Sequence, residues 1–146
     1  MVLSRAFILA LTALACLQGV AAQAQSFTPP TRQELDSKGI KPLTGDELRT
    51  LLTENTLFHI NPANGVRVPL LYRADGTRYV KIRDKVLKSN WRIERDMVCE
   101  YSVVLNRDVC RTLFRSNGYN AVCEEGEAAC SFGLDWAAGN PAGLGQ

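Results

Sequence analysis

From Leu57 to Trp136 the chain is cut into short apolar or alternating runs separated by turn residues, and this punctuation leaves few folds open. The runs are Leu57–Ile60, Val66–Tyr72, Thr77–Arg83, Val86–Glu94, Met97–Leu105, Val109–Arg115, Tyr119–Cys123 and Ser131–Trp136. Thr77–Arg83 and Val86–Glu94 alternate with the period of two that a half-buried strand requires. Asn61-Pro62-Ala63-Asn64-Gly65 and Arg73-Ala74-Asp75-Gly76 interrupt them, and Asp-Gly suits the positive φ angles of a hairpin turn. Seven or eight strands at intervals of roughly ten residues predict a mainly β fold, a curled antiparallel meander forming a half-barrel or small barrel of about seven strands.

Ahead of the strands, Thr44-Gly45-Asp46-Glu47 reads as a capping box, with Leu48, Leu51 and Leu52 following at helical spacing. One short helix is expected over residues 45–53. Residues 25–42 hold three prolines and no apolar periodicity, and read as a flexible arm. Residues 43–136 form the β-rich domain, and the small, glycine-rich residues 137–146 read as a flexible tail.

The first 24 residues predict export. Met1-Val2-Leu3-Ser4-Arg5 precedes an apolar stretch, Ala6–Leu17, that is shorter than the roughly 20 residues a membrane-spanning helix needs. A basic start, an apolar run and small residues describe a secretory signal. Cleavage after Ala22 or Ala24 fits the small-x-small rule, and Ala24 is preferred. An alternative is a lipoprotein signal in which Cys16 becomes the lipidated first residue, the one route by which a membrane enters this reading.

Removing Cys16 leaves Cys99, Cys110, Cys123 and Cys130. An even count in an exported chain points to two disulfides. A zinc site would need a closely spaced cysteine pair, which is missing, and neither a metal nor another cofactor is expected. Pairing of the strands 97–105 and 109–115 would set Cys99 close to Cys110, within the about 5.5 Å that cross-strand neighbours span. Cys123 and Cys130 flank a loop that they would close. Four cysteines allow three pairings, and this topology favours the local one.

The net charge of +2 implies no strong field for nucleic acid, yet the charge is unevenly spread. Residues 60–115 hold twelve lysines and arginines against six acids, whereas residues 116–146 carry four acids and no base. Alternation groups Tyr79, Lys81 and Arg83 on one strand face, a candidate site for an anion such as a phosphate, an acidic glycan or a lipid head. The competing reading is an ordinary solvated face.

Catalytic signals are weak. His59 is a lone histidine in an apolar strand, and no nucleophile elbow, phosphate loop, paired-histidine motif or haem-attachment motif occurs. Glu124, Glu125 and Glu127 read as a solvated turn before they read as glycosidase carboxylates. No catalytic residue is assigned, and an enzyme is the less favoured class.

Together Leu43-Thr44-Gly45-Asp46-Glu47-Leu48, Asn55-Thr56-Leu57, Asp75-Gly76-Thr77, Trp91-Arg92-Ile93, the Cys99 and Cys110 pair and Gly139-Asn140-Pro141 carry a resemblance. The stretch from Leu43 to Leu144 resembles a family of small exported proteins of unknown function, found mainly in alphaproteobacteria. Ser89-Asn90 departs from it where glycine is expected before Trp91. The resemblance implies compartment and architecture and brings no activity.

The expected function is an exported, non-enzymatic binding module in the periplasm or outside the cell, for a small or acidic ligand. The alternative is a disulfide-stapled inhibitor or envelope interaction factor that presents the Cys123–Cys130 loop to a protein. Oligomeric state is left open.

Overall fold

A computed structural model describes residues 30–61, 64–102, 105–116, 119–132 and 134–146. The signal segment, both cleavage frames and Cys16 lie outside the described residues. Nine strands follow one another: β1 (Asn55–Ile60), β2 (Arg67–Tyr72), β3 (Thr77–Ile82), β4 (Lys85–Glu94), β5 (Met97–Ser102), β6 (Arg107–Ser116), β7 (Tyr119–Glu124), β8 (Ser131–Phe132) and β9 (Leu134–Ala137). Every neighbouring pair is antiparallel, in the order β8-β7-β6-β5-β4-β3-β2-β1-β9.

All eight extended runs read from the sequence are present. The last supplies two ladders: its first half pairs β7 and its second half pairs β1. The two ends of the sheet are thus one residue apart along the chain, which is geometrically feasible only if the sheet curls round on itself into a nearly closed barrel. Gly76, at φ 80°, turns β2 into β3, while the Asp75 carboxylate accepts from the Thr77 N–H at 2.8 Å.

Among the described residues two helices accompany the barrel, where one was expected. The expected helix is α2 (Gly45–Leu52): the Thr44 hydroxyl accepts from the Glu47 N–H at 3.4 Å and Glu47 reaches back to accept from the Thr44 N–H at 2.8 Å. Its Leu48 and Leu52 are fully buried and join Leu57, Tyr72, Val98, Leu113 and Val122 in the main core, with Trp91 and Ile93 packed alongside. At about 1.5–3 kcal/mol for each fully buried leucine, the helix is held by this plug into one end of the barrel.

The other helix, α1 (Arg32–Ser37), falls in the stretch read as a flexible arm, and that reading is corrected for its described part. Thr31 and Glu34 form a second capping box. With only six residues α1 buries a single side chain, Leu35, so no periodicity announces it. Leu35 joins Phe114, Ala121, Cys123 and Cys130 in a second small core on the outer face of β6 and β7.

The tail is docked as well, contrary to expectation. Leu144 is buried, Asn140 exchanges two hydrogen bonds of 2.8 Å with the Leu144 backbone, and the Thr56 hydroxyl donates to the Gly139 carbonyl at 2.7 Å. Thr56 and Leu71 face outward by the alternation of their strands, yet both are fully buried. The tail is their cover. A side chain at Gly145 would meet the Tyr79 ring at 2.6 Å, so the tail can close down there only with glycine.

Both disulfides form with the local connectivity. Cys99 and Cys110 are direct partners in the β5–β6 register, and Cys123 and Cys130 close the loop between β7 and β8. They are compatible with an oxidising, exported location. No helix among the described residues is long and apolar enough to cross a membrane.

Candidate functional site

The alternation that builds the wall also decides what faces inward. Leu57 and His59 on β1, Val68, Leu70 and Tyr72 on β2, Arg78, Val80 and Ile82 on β3, and Val98, Glu100 and Ser102 on β5 line a cavity of about 400 Å³. Arg111 and Leu113 on β6, Val122 and Glu124 on β7, Ser131, and Leu105 before β6 complete it. Leu48 and Leu52 of α2 belong to the same core and stop one end. The other end lies at the β1–β2, β3–β4 and β5–β6 turns, on the side of His59, Ile82, Ser102 and Leu105. Among the described residues the cavity is therefore a pocket with one mouth, not a channel.

At its waist sits a charged cluster. Glu100 pairs through one carboxylate oxygen with Arg78 and through the other with Arg111, and it also accepts from the Tyr72 hydroxyl at 3.3 Å. Arg78 and Glu100 are each only 4 % exposed. A buried pair repays its desolvation only when the remaining donors are satisfied too. Here the Arg78 Nε donates to Ser89 Oγ at 3.1 Å and its Nη2 to the Tyr101 carbonyl at 3.4 Å. No buried side-chain nitrogen or oxygen among the described residues lacks a partner.

Those last two bonds close a seam. The β4 strand gives Lys85–Asn90 to β3 and only Trp91–Glu94 to β5, so its mouthward half has no ladder to β5 among the described residues. Arg78 reaches across from Ser89 to Tyr101 in the place where backbone bonds are missing. Ser89, where the resemblance led to an expectation of glycine, is the residue that accepts from it.

Toward the mouth the cluster opens. Arg111 also approaches Glu124 at 3.5 Å, and Glu124 in turn accepts from Arg107 at 2.7 Å. Burial, reinforced by the positive charge of Arg111, holds the His59 imidazole below its ordinary pKa, so it is neutral at pH 7. Burial first, and then the Glu100 charge, push the Tyr72 phenol up, so it remains a donor. The lumen thus offers apolar walls, a neutral imidazole and an arginine whose five N–H groups are only partly used.

The residues picked from the sequence are not brought together here. Tyr79 lies under the tail at Gly145, Lys81 is exposed on the outer wall, and Arg83 stands in the β3–β4 turn at φ 55°, where strand alternation has ended. Strand alternation thus sets Tyr79 and Lys81 on the outer wall and does not extend to Arg83. Of the three acids in the disulfide loop, Glu124 turns to Arg107 and Arg111, while Glu125 and Glu127 are exposed.

The residues that sequence reasoning missed are Tyr72, Arg78, Glu100 and Arg111. A signal was present. Arg78 has the parity of Val80 and Ile82, Glu100 that of Val98, and Arg111 that of Leu113, so each charge occupies an inward position of its own strand. No family model, curated protein or solved structure matches the chain.

Proposed function

We propose that this protein is a non-enzymatic binding module of the cell envelope, acting in the periplasm after export, which takes a small amphipathic molecule into the barrel. The carrying observation is the one-mouthed cavity of about 400 Å³, apolar along its walls and charged at its waist. That is the usual make-up of a small-molecule site, in which apolar area supplies affinity and a few placed polar groups supply orientation. The apolar part would lie between Leu57, Leu70, Val80 and Ile82, and the polar end would meet Arg111 and His59. An acidic end group would gain a charge-assisted bond from Arg111.

The inhibitor reading has less to support it. The disulfide loop is backed by α1, with the Arg32 N–H donating to the Ala128 carbonyl at 3.3 Å, and Glu124 is committed to the lumen edge.

Titration with 8-anilinonaphthalene-1-sulfonate, whose fused rings and sulfonate match the wall and the waist, tests the proposal. Saturable binding of one dye per chain is expected, weakened stepwise by Val80→Phe and Val80→Trp, by tenfold or more for the latter. Equal dye binding by folded wild type and both variants would overturn the lumen as the site.

A further inference from the structure

The strands of a meander return at alternate ends, so the β1–β2, β3–β4 and β5–β6 turns all surround the mouth. Beside each an apolar side chain stands out in solvent: Val66 ahead of β2 at 53 % exposure, Val86 at the start of β4 at 48 % and Leu105, at the cavity rim ahead of β6, at 49 %. Among the described residues only Tyr101 and Trp136, at 39 % and 41 %, are large apolar side chains comparably exposed, and each hydrogen-bonds through its polar end, Tyr101 to Asn106 and Trp136 to the Leu51 carbonyl, so the three aliphatic side chains exposed at one end stand out. Basic side chains accompany them. Lys81, Arg83 and Lys85 on the β3–β4 hairpin are exposed and take part in no ion pair among the described residues, with only Asp84 between them.

The acids are on the other side. The Cys123–Cys130 loop, with Glu125 and Glu127 exposed, reaches the same end of the barrel but lies four strands away round the ring from the β3–β4 hairpin. Apart from Asp84 and the Arg92-paired Asp108, the rim is therefore polarised: apolar tips and the hairpin cations on one arc, Glu125 and Glu127 on the opposite arc. Separate apolar tips at one level, rather than a single groove, suit insertion between lipid heads, and cations beside them suit an anionic leaflet.

We infer that the mouth of the barrel docks on an anionic lipid bilayer, tilted so that the β3–β4 hairpin and the Val66, Val86 and Leu105 tips contact the lipid while the acidic loop points away. This goes beyond the lumen reading and does not depend on what the lumen holds. It orients the opening toward the phase in which amphipathic molecules are dissolved.

Co-sedimentation of the intact mature protein with vesicles tests it, comparing phosphatidylethanolamine–phosphatidylglycerol mixtures with pure phosphatidylcholine. Partition is expected on the anionic vesicles alone, falling with added salt. Lys81→Glu combined with Arg83→Glu and Lys85→Glu should lower it roughly a hundredfold or more, at about fivefold for each basic group near the surface. Val66→Asp with Leu105→Asp should lower it about tenfold at low salt. All five side chains are exposed, and melting curves of the variants verify that they fold. Equal partition of wild type and folded variants, equal partition on both lipids, or stoichiometric capture of an acidic envelope protein without vesicle binding would overturn the inference. Because the lumen variant Val80→Trp keeps the rim, it should bind vesicles as wild type does, which separates failure of docking from failure of the lumen reading.

Discussion

The two ends of this barrel are built from the same strands and finished in opposite ways. At the closed end, α2 lowers Leu48 and Leu52 among Leu57, Tyr72, Val98 and Leu113, and Trp91 stacks edge-on against Tyr72 with ring centroids 5.2 Å apart. Apolar area is removed from water there and the polar ends are tied off, the Trp91 indole donating to the Arg73 carbonyl at 2.9 Å. At the mouth, apolar side chains of similar size stand in solvent, and among the described residues the mouthward half of β4 has no ladder to β5 and Lys81, Arg83 and Lys85 take part in no ion pair. Between the two lies Glu100. One end of the barrel carries its stability and the other is available for contact, with the buried charge marking the boundary.

Glu100→Ala should have the largest effect on that boundary. It strands Arg78 and Arg111, and about 3–5 kcal/mol of stability should be lost in denaturant unfolding. A loss below about 1 kcal/mol would mean that the waist behaves as mouth. Next comes a matched pair of leucines. Leu48→Ala at the closed end should cost about 3 kcal/mol by transfer and cavity terms, whereas Leu105→Ala at the mouth should stay within about 0.5 kcal/mol. Similar losses at both positions would dissolve the distinction between the ends.

The smallest effect belongs to His59. Its folded pKa is depressed, so between that value and the ordinary histidine value of about 6.5 the unfolded chain binds a proton that the folded chain does not. Stability should therefore fall as pH drops through about 6.5, and His59→Gln should remove that slope. Measurement above about pH 5 keeps the carboxylates of Glu34, Glu47, Glu54 and Asp75 out of the window, since hydrogen bonds to backbone N–H groups hold all four below their usual range.

The hairpins were legible because each is local. Asp75-Gly76, the alternation of Val86–Glu94 and the register that sets Cys99 against Cys110 all follow from neighbours a few residues apart. The capping box of α2 was readable for the same reason. Helix α1 was not, because six residues with one buried leucine carry no period, and Leu35 acquires its meaning only from Phe114 and Cys130 on distant strands. The tail failed in the same way: Leu144 looks unremarkable until Thr56 and Leu71 need a cover.

The candidate site shows the same division. Tyr79, Lys81 and Arg83 were grouped by an alternation that ends at the turn, and the tail hides one of them. Arg78, Glu100 and Arg111 sit at inward parity on three strands, β3, β5 and β6, and nothing along the chain says that these positions share one waist. The sequence by itself determined strand identity, turn positions, the capped α2 and the local disulfides, since these depend on side-chain period and short-range bonding. Only closure of the sheet decided which inward charges meet, which end is plugged and which is open, because curvature brings together groups that pairing between adjacent strands leaves apart.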